Sequence, residues 1–159
     1  RRINYKATGL TKGTTSTYTT TATSECSING KWATGLTAQT NTATPTTDAR
    51  TGAAFVAQTD NTACAYVFGI NAAGAIKVSQ GPVEPTETGV TTTAGAFKNR
   101  PQFPALPDDF CAIGYLFVRT APDAADFTFG TSSWTATGIT ASAVVEVDGT
   151  LPDRPQALP

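Results

Sequence analysis

Residues 101–119, PQFPALPDDFCAIGYLFVR, constrain the fold more than any other stretch of the chain. Pro101, Pro104 and Pro107 recur every third residue, the period of polyproline II. Phe103 and Leu106 fall on the same spacing, so the segment reads as a stiff extended rod with one apolar side. Asp108 and Asp109 end it. Residues 111–119 then alternate, with Cys111, Ile113, Tyr115 and Phe117 on one face and Ala112, Gly114, Leu116 and Val118 on the other. Apolar residues on both faces predict a central strand covered on two sides.

A second run has nearly the same design. Cys64, Tyr66, Phe68 and Ile70 share one face, and Ala65, Val67 and Gly69 the other. Asn71 to Gly74 form a turn, with Gly74 suited to a left-handed conformation. Residues 75–80 then return with Ile76 and Val78 inward. After Arg119, Phe127 and Phe129 offer the corresponding return for the later strand. The chain thus holds two similar strand–turn–strand units, 64–80 and 111–130, joined by a crossing loop over 81–99. Earlier, Asn29-Gly30 between Ile28 and Lys31-Trp32 predicts a two-residue type I′ hairpin, with Ile28 and Trp32 near each other across it.

The remaining segments are less sharply written. Residues 1–12 carry a basic pair and the apolar residues Ile3, Tyr5 and Leu10, as an arm with anchors or a frayed terminus would. Residues 11–23 are nearly all Thr, Ser and Gly around Tyr18, which suits either disorder or an exposed edge strand. Residues 33–52 are long for a loop and predict a short helix or a surface crossing. Residues 53–58 offer a short strand, and 140–148 alternate as a half-exposed one. Residues 151–159, LPDRPQALP, have three prolines and cannot join a central sheet. They repeat the rod's Arg-Pro-Gln and Leu-Pro-Asp in the opposite order.

The expected architecture is all-β: a β-sandwich or open barrel of antiparallel hairpins with extended N- and C-terminal arms. Its expected divisions are a Thr-rich N-terminal arm over 1–24, a β domain over 25–150 and a proline-rich C-terminal arm over 151–159. The 31 threonines favour strands and loops. Helix formers are thin, with no Met and few Lys, Glu and Leu.

Charge and cysteine content limit the function classes. Charged residues make up 14% and the net charge is −1, which argues against nucleic acid as a partner. No apolar run approaches the length of a membrane span, and no signal-peptide pattern is found. The sequence begins Arg1-Arg2 rather than Met, as a processed or trimmed chain does. Cys26, Cys64 and Cys111 each sit in or beside an apolar run. Three buried thiols in a reducing cytosol is the expected state, against one disulfide plus a free Cys.

No motif names a reaction. The absence of His removes every Ser–His or Cys–His nucleophile and makes a structural zinc site a poor expectation. The acidic pairs Asp108/Asp109, Asp123/Asp126, Glu84/Glu87 and Glu146/Asp148 lie in turns or beside prolines, where acids serve local needs. A glycosidase would need two of them facing each other across a sugar. Asp123 and Asp126 lack the ligand density of a calcium loop. Residues 69–74 carry two glycines of a phosphate loop without the Lys that follows it. Trp32, Trp134, Tyr5 and Tyr18 could stack on a sugar or fill a core. No cofactor is expected.

One combination is more specific: CSINGK at 26–31, ATPTTD at 43–48, FGINAAG at 68–74, QGP at 80–82, PQFPALPD at 101–108 and LPDRPQ at 151–156. It resembles a family of small tailed-bacteriophage virion proteins, associated with genes near the major capsid protein and with head decoration or cement roles. That resemblance implies a non-enzymatic component of the capsid surface, assembled in the bacterial cytoplasm. It would bind and stabilise the major capsid protein shell and self-associate as a trimer or dimer, without nucleic acid or membrane. The expected contact residues are Arg1, Arg2, Ile3 and Tyr5, with Leu151, Pro152, Arg154 and Leu158. The alternatives are a tail or fibre component that recognises a host glycan, and a carbohydrate hydrolase.

Overall fold

The computed structural model describes residues 2–147. The described residues form twelve strands and no helix. In chain order these are β1 (Arg2–Asn4), β2 (Thr11–Lys12), β3 (Thr17–Thr20), β4 (Cys26–Ile28), β5 (Lys31–Trp32) and β6 (Gln39–Ala43). They continue with β7 (Thr62–Ile70), β8 (Ile76–Gln80), β9 (Glu84–Pro85), β10 (Cys111–Thr120), β11 (Ile139–Ala141) and β12 (Val145–Glu146). The fold is all-β. Three antiparallel sheets are present: β1-β4-β5, β2-β3-β6, and a six-stranded sheet in the order β11-β10-β7-β8, with β12 also on β10 and β9 also on β7. Among the described residues the sheets do not close into a barrel.

The two apolar runs pair with each other. β7 and β10 lie antiparallel at the centre of the large sheet. Cys64, Tyr66, Phe68 and Ile70 face the main core, as their alternation predicts. β10 departs from its expected phase. The ladder runs Ala112↔Gly69 and then Gly114↔Phe68, leaving Ile113 as an extra residue. A bulge of one residue reverses every later side chain, because the strand period is two. Cys111, Ile113, Leu116 and Val118 therefore share the main core. Tyr115 and Phe117, expected beside Cys111 and Ile113, lie on the opposite face with the rod.

The rod supplies the cover for that face. Phe103 and Leu106 pack with Val67, Phe110, Ala112 and Tyr115 in a second, smaller cluster. Phe103 meets Tyr115 edge-on at 4.8 Å between ring centroids. Arg119 extends the row, its guanidinium 5.2 Å from the Phe97 ring centroid and donating to Gly95 O.

Several local expectations change. The strand returning beside β10 is not residues 127–129 but β11 and β12. Phe127 makes one bridge, to Gln58, before Gly130 turns the chain with φ of 81°. Phe127 and Phe129 instead fill the core; Phe129 stacks on Tyr66 at 4.6 Å. Residues 33–52 contain no helix; their Thr and Asn residues form β6, paired with β3. Residues 53–58 join by isolated bridges rather than a strand. Of the expected strand at 140–148, the described residues 140–147 divide into the end of β11 and β12, with 142–144 between them.

Residues 2–24 are built into these sheets. Tyr18 is buried and carries the Thr-rich segment as β3, between β2 and β6. Glu146 accepts hydrogen bonds from Thr8 N, Thr8 Oγ1 and Leu10 N. Asn4 Nδ2 donates to Val147 O, and Lys12 Nζ donates to Ala141 O at 2.8 Å. Residue 24 therefore marks no break in packing. Residues 151–159 lie outside the described residues.

Candidate partner-binding surface

The Asn29-Gly30 turn places the main candidate. Asn29 and Gly30 have φ of 52° and 78°. Both central residues of a type I′ turn need positive φ, so Asn-Gly fits it without a penalty from a bulkier side chain. The hairpin registers Ile28 opposite Lys31 and Ser27 opposite Trp32. Ile28 and Cys26 enter the core, while Trp32 is left 65% exposed on the edge strand. β1 pairs on the other side of β4, with Ile3 opposite Ser27.

Tyr5, just past β1, is 51% exposed and stacks on Trp32 with centroids 5.2 Å apart and planes at 18°. Its hydroxyl shares a hydrogen bond with Ser27 Oγ at 3.0 Å. That bond fixes the Tyr5 ring, and the ring holds the indole. Lys6 and Glu25 form an exposed ion pair at 3.5 Å beside it. The result is a flat, pre-ordered aromatic surface with polar neighbours, able to stack on a sugar, a proline ring or an apolar side chain.

Among the predicted contact residues, Arg2, Ile3 and Tyr5 are brought together at this sheet. Arg2 reaches Asp108 at 3.3 Å, and Ile3 is half-buried. Arg1, Leu151, Pro152, Arg154 and Leu158 lie outside the described residues. Trp32 belongs with Tyr5, a pairing absent from the expected contact set. The signal was a Trp immediately after an Asn-Gly turn, on a strand too short to bury it. The other two stacking candidates are enclosed. Tyr18 is buried, and Trp134 packs on Phe127 and Phe129 and donates from Nε1 to Thr17 O.

Three of the paired acids serve the backbone or the Arg2 ion pair. Asp108 meets Arg2, Asp109 accepts from Ala72 N, and Glu146 binds the N-terminal segment. Asp148 lies outside the described residues. No group of three or more His, Cys, Asp and Glu able to hold a metal ion occurs among the described residues. A crevice beside Cys64, lined also by Pro82, Phe97 and Pro101, has a volume of about 10 Å³, the scale of one water.

Cys26, Cys64 and Cys111 are free and buried. Burial pushes the Cys64 thiol up to about 12, and its Sγ donates to Gly81 O. The neighbouring Cys111 thiol and burial raise the Cys26 thiol, whose Sγ donates to Asn4 Oδ1 at 3.7 Å. Tyr66 is also raised, chiefly by burial; its hydroxyl donates to Gln58 Oε1.

No family model, no curated protein and no solved structure matches this chain.

Proposed function

We propose that this chain is a non-enzymatic structural protein of a tailed-bacteriophage virion, of the head decoration or cement type. It binds the shell of the major capsid protein from outside and self-associates as a trimer or dimer. The family resemblance supplies the class, and the exposed Tyr5–Trp32 stack supports a contact role for this face. A decoration protein acts mechanically: by binding only the assembled shell it shifts the equilibrium towards assembly. Such binding needs a surface of ordered side chains, since ordering them on contact costs free energy. Tyr5 and Trp32 are already ordered by the Ser27 hydrogen bond and by each other.

The test is co-sedimentation of the full chain with capsid shells of the phage that encodes it. Saturable binding lost in Trp32→Ala and in a chain lacking residues 151–159 is the expected result. Undiminished binding by both would defeat the contact assignment; no binding by the unaltered chain would defeat the decoration role.

The same exposed pair favours a second reading, a tail or fibre component that stacks on a host glycan. A glycan array and copy number per particle separate the two. The decoration role expects hundreds of copies and no glycan signal.

A further inference from the structure

Two of the three cysteines meet where two sheets meet. β4 belongs to the small sheet β1-β4-β5, and it also packs against β10 of the six-stranded sheet. A chain of pairings joins the two strands. Asn4 is registered opposite Cys26, Asn4 Nδ2 donates to Val147 O, and Val147 N donates to Ile113 O. Cys111 and Ile113 enter the same core cluster as Cys26. The Cys26 and Cys111 thiols are therefore neighbours, although the residues are far apart in the chain. Cys64 is differently placed. Its Sγ donates to Gly81 O, beside the small crevice.

Joining these two thiols strands no buried polar group. Cys26 Sγ donates to Asn4 Oδ1 at 3.7 Å, a long bond to a buried oxygen. Asn4 Oδ1 also accepts from Lys6 N, so loss of the Cys26 S–H leaves it with a partner. The pair is also unequal. The Cys26 thiol lowers that of Cys111, burial opposes this, and the positive charge of Arg2 adds to it. Cys111 is thus the readier thiolate, the form that attacks a disulfide.

We infer that Cys26 and Cys111 are a disulfide site, open in a thiol-rich compartment and closed by an oxidant of the small-molecule disulfide class. The Cys111 thiolate attacks one sulfur of the oxidant, breaks its S–S bond and releases one half as a thiol. Cys26 then gives up its proton and displaces the second half from the mixed disulfide. Two protons and two electrons pass from the cysteines to the oxidant, and both of its halves leave as thiols. The new bond ties β4 to β10 and closes a loop of more than half the chain. A loop of that length takes much conformational freedom from the unfolded chain. The inference stands apart from the virion role and holds whether or not the protein decorates a shell.

The full unaltered chain serves for the test. It is refolded from urea in a buffer of oxidised and reduced glutathione, so that burial of the thiols sets no limit on access. Free thiols are then blocked with N-ethylmaleimide, and peptides are mapped without reduction. The expected product carries one link, between residues 26 and 111, with Cys64 blocked as a free thiol. Its Tm should rise by about 5–10 °C over the reduced chain, and dithiothreitol should reverse the rise. Three blocked thiols overturn the inference, as does a link through Cys64 or between two chains. A glutathione adduct that persists on Cys26 or Cys111 also overturns it, because the second thiol is then out of reach. A 26–111 link that lowers Tm counts against it equally, since the native strands then do not accommodate the bond.

Discussion

The ring of Phe110 lies against the Cα of Gly69. A side-chain carbon at Gly69 would overlap several atoms of that ring. Phe110 is fully buried and belongs to the cluster that joins the rod to β7 and β10. Gly69→Ala must displace it, and overpacking of this kind costs about 1–3 kcal/mol. Urea denaturation should show that loss, and Phe110→Leu added to Gly69→Ala should cost less than the sum of the two changes. Additive losses would mean that the two sites do not compete for space.

Glu146 ties β12 to the beginning of the chain through Thr8 and Leu10. Glu146→Ala removes the acceptor for two backbone N–H groups and should cost about 1–3 kcal/mol. Hydrogen exchange gives the more specific reading. The Thr8 and Leu10 amides should lose protection well before those of β7. Unchanged exchange at both amides would show that the carboxylate does not hold this segment.

Alkaline stability should carry the signature of Cys64. Its ordinary value is 9.0, and burial raises it to about 12 in the folded chain. Between these values the unfolded chain gives up a proton that the folded chain keeps. Stability from this thiol is therefore complete below about pH 9 and declines as pH rises towards 12, by at most about 1.4 kcal/mol per pH unit. Cys64→Ala should make the decline shallower. Cys26 and Tyr66, raised in the same direction, preserve part of it. Superimposable pH profiles for the two proteins would contradict the assignment.

Trp32 and Tyr18 should behave oppositely despite both being aromatic residues of small sheets. Trp32 is largely exposed, so Trp32→Ala should change stability by no more than about 1 kcal/mol. Tyr18 is buried at 1% exposure, and Tyr18→Ala should cost about 3–5 kcal/mol. Thermal unfolding of the pair checks this. A large loss in Trp32→Ala would make the indole a structural anchor instead of a contact residue.

Where the sequence is legible, it is because a local cause suffices. Asn29-Gly30 dictates its turn, Gly74 closes the β7–β8 hairpin at φ of 80°, and the three-residue period of the rod delivers Phe103 and Leu106 to one cluster. The phase of β10 is different. Residues 111–118 are apolar on both faces, so alternation identifies the strand without revealing a one-residue bulge at Ile113. The Thr-rich segment could not be decided locally, because its order depends on burying Tyr18 and pairing with β6, more than twenty residues away. The Tyr5–Trp32 stack is hidden for the same reason. Its partners are separated in the chain and meet only once β1 and β5 flank β4.

The Glu146 clamp also has a consequence for synthesis. The amides of Thr8 and Leu10 precede their acceptor by 138 and 136 residues. During synthesis this lock cannot form until the chain has been made through residue 146. Pairings so distant in sequence make closure slow. A nascent chain that stops short of residue 146 leaves those two N–H groups without this acceptor.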